Sequence, residues 1–197
     1  IRDRFGCPTD LLYIAMYYYQ TSRYREALSV VEKTKEKMVH QPPGKCLCPE
    51  HQMLYREAFG GRSWTFKMKQ FVWKDIVLDN YNTYLDELRL EQRSILQSEN
   101  DKCVMVITPF ILVNMLEFIC CKETDSNRAQ TILDEFQSGM QNVRNGRKLT
   151  WQILGICQQM AGNHHAALHS YEKSLQRASG PNIESATLLR IQDLHIS

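Results

Sequence analysis

The 197-residue sequence has few of the residues that break or turn a chain, since it contains only 9 Gly and 6 Pro. That scarcity argues against a sandwich or barrel of many short strands and favours a few long elements. The sequence also lacks a large excess of either charge, because 24 Lys and Arg nearly balance 22 Asp and Glu and leave a net charge of +2. A domain whose affinity comes from neutralising phosphates needs a much larger basic excess, so the composition argues against a nucleic-acid partner.

Long apolar runs and export signals are also missing. The longest nearly unbroken apolar run, 104–119, is interrupted by Pro109 and by three polar or charged residues, so we expect no membrane-spanning helix and no membrane partner. The chain opens on Ile1 without a basic and apolar leader, and its 7 Cys are odd in number and scattered. We therefore expect reduced thiols, a cytoplasmic location and a fragment of a longer protein.

Apolar residues recur at helical spacing along most of the chain, which predicts an all-α fold. The expected single domain, 1–197, comprises a hairpin at 8–39, a loop and helical insertion at 40–101, hairpins at 108–142 and 148–178, and a capping helix at 182–194. Inside the insertion we expect helices at 50–59 and across 66–97. A short extended piece at 104–107 should precede a helix that has Pro109 in its first turn.

The three hairpins share a pattern of apolar residues when Ala27, Ala129 and Ala167 are placed in register. In the last hairpin Gly155 predicts a close approach of two helices, and Gly162 supplies the backbone freedom of a tight turn. The pattern resembles the tetratricopeptide repeat. That resemblance implies tetratricopeptide-like helical hairpins stacked into a short solenoid, with an irregular helical insertion in the middle. The first hairpin departs from the repeat where Ser22 replaces the turn glycine, and the middle hairpin departs where Glu117 replaces a small residue.

Whole phrases of the sequence carry a second resemblance, at 84–92, 108–120, 128–130, 151–159 and 186–194. They are similar to the carboxyl-terminal helical region of molluscan proteins related to the male-abnormal and cyclic GMP-AMP synthase-like nucleotidyltransferases. In that family the catalytic core lies upstream, with a Gly-Ser turn and paired acidic residues that hold magnesium, and nothing in this sequence matches it. The resemblance implies, as an alternative function, a regulatory or oligomerisation module of an innate immune nucleotidyltransferase, with contact to nucleotide or nucleic acid.

The strongest metal-binding candidate is the cluster of His40, Cys46, Cys48 and His51, residue types that bind structural zinc. A single residue separates Cys46 from Cys48, which is closer than the usual ligand pair, so a loop with incidental cysteines is the favoured interpretation.

Residues 56–74 combine five basic residues with aromatic ones, a mixture that can bind single-stranded nucleic acid by charge and stacking. Core packing of the aromatic rings, with lysines reaching out to water, is favoured over that function. Cys120, Cys121 and Cys157 lie among apolar neighbours and are predicted to be buried. No motif assembles a nucleophile, a base and oxyanion donors, so we expect neither an enzyme nor a cofactor.

The favoured function is a non-catalytic interaction or scaffold module that binds a peptide or protein segment on a concave helical surface, with self-association as the second possibility. If tetratricopeptide geometry holds, the first helices of the hairpins line that groove. Its predicted residues are Leu12, Met16, Tyr19, Gln20, Asn114, Phe118, Lys122, Gln152, Ile156, Gln159 and Met160.

Overall fold

The computed structural model describes residues 8–40, 76–79, 85–97, 104–141, 148–178 and 181–196. Within these ranges the chain is predominantly helical, as predicted. The α-helices are α1 Pro8–Gln20, α2 Tyr24–His40, α3 Arg89–Leu96, α4 Pro109–Thr124, α5 Ser126–Gln141, α6 Lys148–Met160, α7 His164–Leu175 and α8 Glu184–Ile196. A short 3-10 turn, Asp86–Leu88, precedes α3. None of the helices described is long and apolar enough to cross a membrane.

Two four-residue strands form an antiparallel ladder, β1 Ile76–Asp79 and β2 Val104–Ile107, in which Ile76 pairs with Ile107 and Asp79 with Val104. The predicted extended piece at 104–107 is therefore confirmed. The predicted helix across 66–97 is wrong at β1. Periodicity cannot separate a short apolar run in a strand from one in a helix, and here the pairing with β2 decides.

The helices of all three predicted hairpins are present as α1–α2, α4–α5 and α6–α7, and α8 follows them. Both helices of the first hairpin pack on α4, and both helices of the middle hairpin pack on α6. The final helix α8 packs on α7 and on α3. The predicted helix at 50–59 lies outside the described residues.

The first and third hairpins close with the same turn. Ser22 has φ of 58° and Gly162 has φ of 78°, and both residues precede their register alanine by five positions. In each turn the next backbone N–H reaches back five residues, from Arg23 to the Tyr18 carbonyl at 2.9 Å and from Asn163 to the Gln158 carbonyl at 2.9 Å. Glycine adopts this left-handed conformation at little cost, whereas serine carries a steric penalty.

Gly155 lies where α6 meets α7 most closely. A Cβ atom at this position would lie 2.5 Å from Cε1 of Tyr171, well inside an ordinary carbon contact. Tyr171 is fully buried, and its hydroxyl donates a hydrogen bond to Oε1 of Gln159 at 2.7 Å. The close approach predicted from Gly155 is confirmed.

Glu117, which replaces a small residue in the middle hairpin, is only 4% exposed and is held by two cations. Its carboxylate forms ion pairs with Lys35 of α2 and, at 3.2 Å, with Arg128 of α5. Arg128 also contacts Glu32 of α2 at 2.7 Å. A buried carboxylate needs such partners to offset its lost hydration, and these link the first hairpin to the middle one.

Candidate interaction face

The first helices of the hairpins, α1, α4 and α6, lie side by side, because α4 packs on both α1 and α6. We call the surface that they form the first-helix face. Six of the eleven predicted groove residues are 2% exposed or less, namely Leu12, Met16, Asn114, Phe118, Gln152 and Ile156. Tyr19, Gln159 and Met160 are half-buried, and Gln20 and Lys122 are exposed. The structure therefore does not present these residues as one open groove.

The physical reason differs between the apolar and the polar members of the buried six. The apolar side chains belong to the continuous hydrophobic core. The amides are satisfied inside the molecule: Asn114 Nδ2 donates to the Phe110 carbonyl at 2.7 Å, and Gln152 Nε2 donates to Glu91 Oε1 at 2.7 Å. Buried amides need such partners, since an unpaired one would carry the cost of its lost hydration.

The chain's own segment 85–97 contacts two helices of the first-helix face, α1 through Glu87 and α6 through Glu91. The hydroxyl of Tyr19 on α1 donates a hydrogen bond to Glu87 Oε1. The charge of Glu87 also contributes to raising the thiol pKa of Cys120 on α4 and of Cys157 on α6.

A second carboxylate of this segment, Glu91, is completely buried and fully engaged. The guanidinium of Arg190 on α8 donates to its two oxygens at 2.8 and 3.1 Å, in addition to the bond from Gln152. The Thr187 hydroxyl donates to Gln152 Oε1 at 2.9 Å, which fixes the amide with its NH₂ group toward Glu91. Bidentate pairs between arginine and carboxylate are among the strongest protein hydrogen bonds.

The pKa values of Tyr19, Cys120 and Cys157 are raised, which favours their neutral forms. Burial, followed by the hydrogen bond and charge of Glu87, raises the pKa of Tyr19. Burial, helped by the neighbouring Cys121 and then Glu87, raises the pKa of Cys120 to about 12. The pKa of Cys157 is raised chiefly by burial. The predicted burial of the three helical cysteines is confirmed, and raised pKa values keep Cys120 and Cys157 as thiols that are poor nucleophiles.

Sequence reasoning missed three residues: Glu87 and Glu91, which accept hydrogen bonds from the first-helix face, and Arg190 of α8, which pairs with Glu91. One signal was present, because Leu88, Glu91 and Ile95 follow one another at spacings of three and four, the spacing of one helical face. A carboxylate on an otherwise apolar stripe indicates a buried charge with a dedicated partner. The partner itself, Arg190, lies 99 residues away, and no local pattern identifies it.

A cleft of about 330 Å³ lies between α5, α6 and α7, apart from the first-helix face. Its lining includes Gln137, Trp151, Gln158, His169 and Lys173. The Lys173 ammonium lies 4.5 Å from the centre of the Trp151 ring, a favourable cation–π distance. The Gln158 amide donates to Gln137 at 3.1 Å and accepts a bond from the Ser170 hydroxyl at 2.6 Å. The two glutamines and Ser170 therefore satisfy one another, whereas the buried Nε1 of Trp151 has no hydrogen-bond partner among the described residues.

Most of the candidate zinc cluster lies outside the described residues, at Cys46, Cys48 and His51, and His40 is described only as the last backbone position of α2. Where the structure is described, no three His, Cys, Asp or Glu side chains converge as a metal site would require. The basic and aromatic stretch at 56–74 is likewise outside the described residues.

Comparison of the chain with known protein families, with curated proteins and with solved structures gave no match. Both family resemblances noted in the sequence therefore stay predictions.

Proposed function

We propose that the chain is a non-catalytic interaction module that binds a peptide or protein segment on its first-helix face. The proposed architecture is a short tetratricopeptide-like solenoid. Three features support this stacking: the first and middle hairpins each pack both helices on the first helix of the next hairpin, the first and third turns share one geometry, and Gly155 packs closely on Tyr171. Stacked hairpins of this kind use the surface of their first helices for binding.

The observation that carries the proposal is the contact between the first-helix face and the segment 85–97. Glu87 accepts from Tyr19 on α1, and Glu91 accepts from Gln152 on α6. The face thus already binds a short stretch of polypeptide through side chains of its first helices. Leu88 and Ile95 of that stretch are also buried, and apolar residues at such spacing are the type that anchors amphipathic helices in grooves.

A peptide-display selection against the chain tests the proposal. Enriched peptides are synthesised, and their affinities are measured by fluorescence anisotropy for the wild-type chain and for two variants of the face, Tyr19→Phe and Lys122→Ala. Tyr19→Phe removes one hydroxyl donor, and Lys122→Ala removes an exposed charge from α4. We expect each variant to weaken binding by about fivefold, the usual effect of one hydrogen bond or one exposed charge pair.

Lys33→Ala is the matched control, because Lys33 is an exposed lysine on α2, a second helix. It should leave the affinity unchanged. Enriched peptides that bind all variants equally would place the binding surface elsewhere, and a selection that enriches no peptide would remove the proposal.

A further inference from the structure

Four side chains of the segment 85–97 form one buried row. Leu88, Glu91, Gln92 and Ile95 are each 5% exposed or less, while Arg89 and Arg93 between them are exposed. This is how an amphipathic helix sits in a groove, with anchors at spacings of three and four residues. A carboxylate takes the place that an apolar anchor usually has, so the surface beneath Glu91 selects for charge as well as for shape.

The cation that selects this charge is held in place by the array itself. Arg190 lies on α8, and its side chain is only 14% exposed. Glu91 is the carboxylate to which its guanidinium is hydrogen-bonded. Without a carboxylate at this point, Arg190 would be a largely buried charge without its counterion, which is strongly unfavourable. A segment that replaces 85–97 beside α8 therefore has to bring an acidic group to Arg190.

The fit of the segment is incomplete one turn earlier. Glu87 Oε1 accepts the bond from Tyr19, but Glu87 Oε2 is buried and has no hydrogen-bond partner among the described residues. A buried carboxylate oxygen without a donor opposes the association of the segment with the face. The two glutamates thus differ: both oxygens of Glu91 are hydrogen-bonded, whereas Glu87 has one bonded oxygen and one buried oxygen whose missing donor offsets part of the gain.

We propose that the segment 85–97 is an intramolecular occupant of the first-helix face, and that a binding partner displaces it with an amphipathic acidic helix of its own. The partner helix carries an apolar residue, a glutamate three positions later and a second apolar residue four positions after that, in the places of Leu88, Glu91 and Ile95. The partner gains over the internal segment where a neutral residue replaces Glu87. This inference rests on the proposed function, since it names the partner and the regulation of the same face.

A designed disulfide makes the displacement testable. The Oγ atoms of Ser94 on the segment and of Ser185 on α8 lie 2.7 Å apart, which brings the two side chains close enough for a disulfide between cysteines. The full chain with Ser94→Cys and Ser185→Cys holds the segment on the face when oxidised and releases the link when reduced. The wild-type chain under the same two conditions is the control for oxidation of the native cysteines.

The probes are three fluorescent peptides with the sequence of residues 85–97: the native peptide, Glu91→Gln and Glu87→Gln. The two substitutions are matched, since each replaces one glutamate by its amide, one helical turn apart. We expect the reduced chain to bind the native peptide and the oxidised chain to bind it at least about tenfold more weakly. Glu91→Gln should weaken binding by about tenfold or more, because Arg190 loses its counterion, whereas Glu87→Gln should bind at least as well as the native peptide.

Equal binding by the oxidised and reduced chains would overturn the proposal, and so would equal binding of the Glu91→Gln and native peptides. Failure of the native peptide to bind the reduced chain at about 1 mM would also overturn it, because the segment would then be a permanent part of the fold. If the disulfide does not form, hydrogen exchange of the wild-type chain tests the same displacement of residues 85–97. Added native peptide should accelerate exchange within residues 85–97, and unchanged exchange would overturn the proposal.

These outcomes are separable from those of the proposed function. Peptides from the display selection that depend on Tyr19 and Lys122, yet bind the oxidised and reduced chains equally, would leave the first-helix face as a binding surface. They would exclude the segment 85–97 as its competitor.

Discussion

The effect of Gly155→Ala on stability should depend on the residue at position 171: we expect destabilisation when it is tyrosine and stabilisation when it is valine. Alanine favours a helix over glycine by about 1 kcal/mol, so the change alone would stabilise α6. In the wild-type chain, however, the new methyl group would lie 2.5 Å from Tyr171 Cε1 and 2.7 Å from Cδ1. Ordinary carbon contacts are about 3.5–4.0 Å, so the overlap is about 1 Å.

Tyr171 has little room to move away from that methyl group, because its ring is fully buried and its hydroxyl is bonded to Gln159. Overpacking of a core costs about 1–3 kcal/mol, and the helix preference offsets part of it. We therefore expect Gly155→Ala to lower the free energy of unfolding by about 1–2 kcal/mol. In the first hairpin the positions aligned with Gly155 and Tyr171 are Ala15 and Val31, and both are fully buried. An alanine can therefore pack at the first of these positions when a valine stands at the second.

The assay is urea unfolding followed by the helical circular dichroism signal, with Gly155→Ala introduced into the wild-type chain and into Tyr171→Val. The second background copies the first-hairpin pair, and removal of the ring should itself cost about 3 kcal/mol. In that background we expect Gly155→Ala to stabilise the chain by about 0.5–1 kcal/mol. Ser29→Ala, at an exposed position of α2, is the control for helix preference alone. Stabilisation of the same size in both backgrounds would refute the close-contact reasoning.

Three further predictions concern the turns, the buried ion pair and the thiols. Ser22→Gly should stabilise the chain by about 1 kcal/mol, and Gly162→Ser should destabilise it by a similar amount, because both turns need positive φ; urea unfolding midpoints check this, and equal effects of the same sign would contradict it. Glu91→Gln should lower the free energy of unfolding by about 3–5 kcal/mol, because it leaves the guanidinium of Arg190 without its counterion; a loss below about 1 kcal/mol would count against that pairing. Cys120 ionises near pH 9.0 when unfolded and near pH 12 when folded, so unfolding is favoured as the pH rises above 9, with about 1 kcal/mol lost by about pH 10. Unfolding midpoints at about pH 7.5 and about pH 10 measure the loss in the wild-type chain and in Cys120→Ala. The variant should lose less, with the remainder coming from other buried groups such as Cys157, and an equal loss in both chains would contradict the burial of the Cys120 thiol.

The predicted groove illustrates how far sequence reasoning reached at the candidate site. Tyr19 and Gln152 were both selected from the repeat pattern, and both contact the segment 85–97. The pattern assigns a residue to one side of a helix, but it does not say what will cover that side. Leu12 was selected by the same rule and lies in the hydrophobic core.

The sequence by itself determined the helical hairpins, because apolar periodicity, turn geometry and helix starts are recorded within about a dozen neighbouring residues. Gly155 and Gly162 could be interpreted for the same reason, since a missing side chain and a left-handed turn are local requirements. Only the tertiary structure decided that residues 76–79 form a strand and that Glu91 meets Arg190, 99 residues further along. Both depend on partners distant in the chain, and a buried charge or an unpaired strand edge has no defined partner until folding brings one to it.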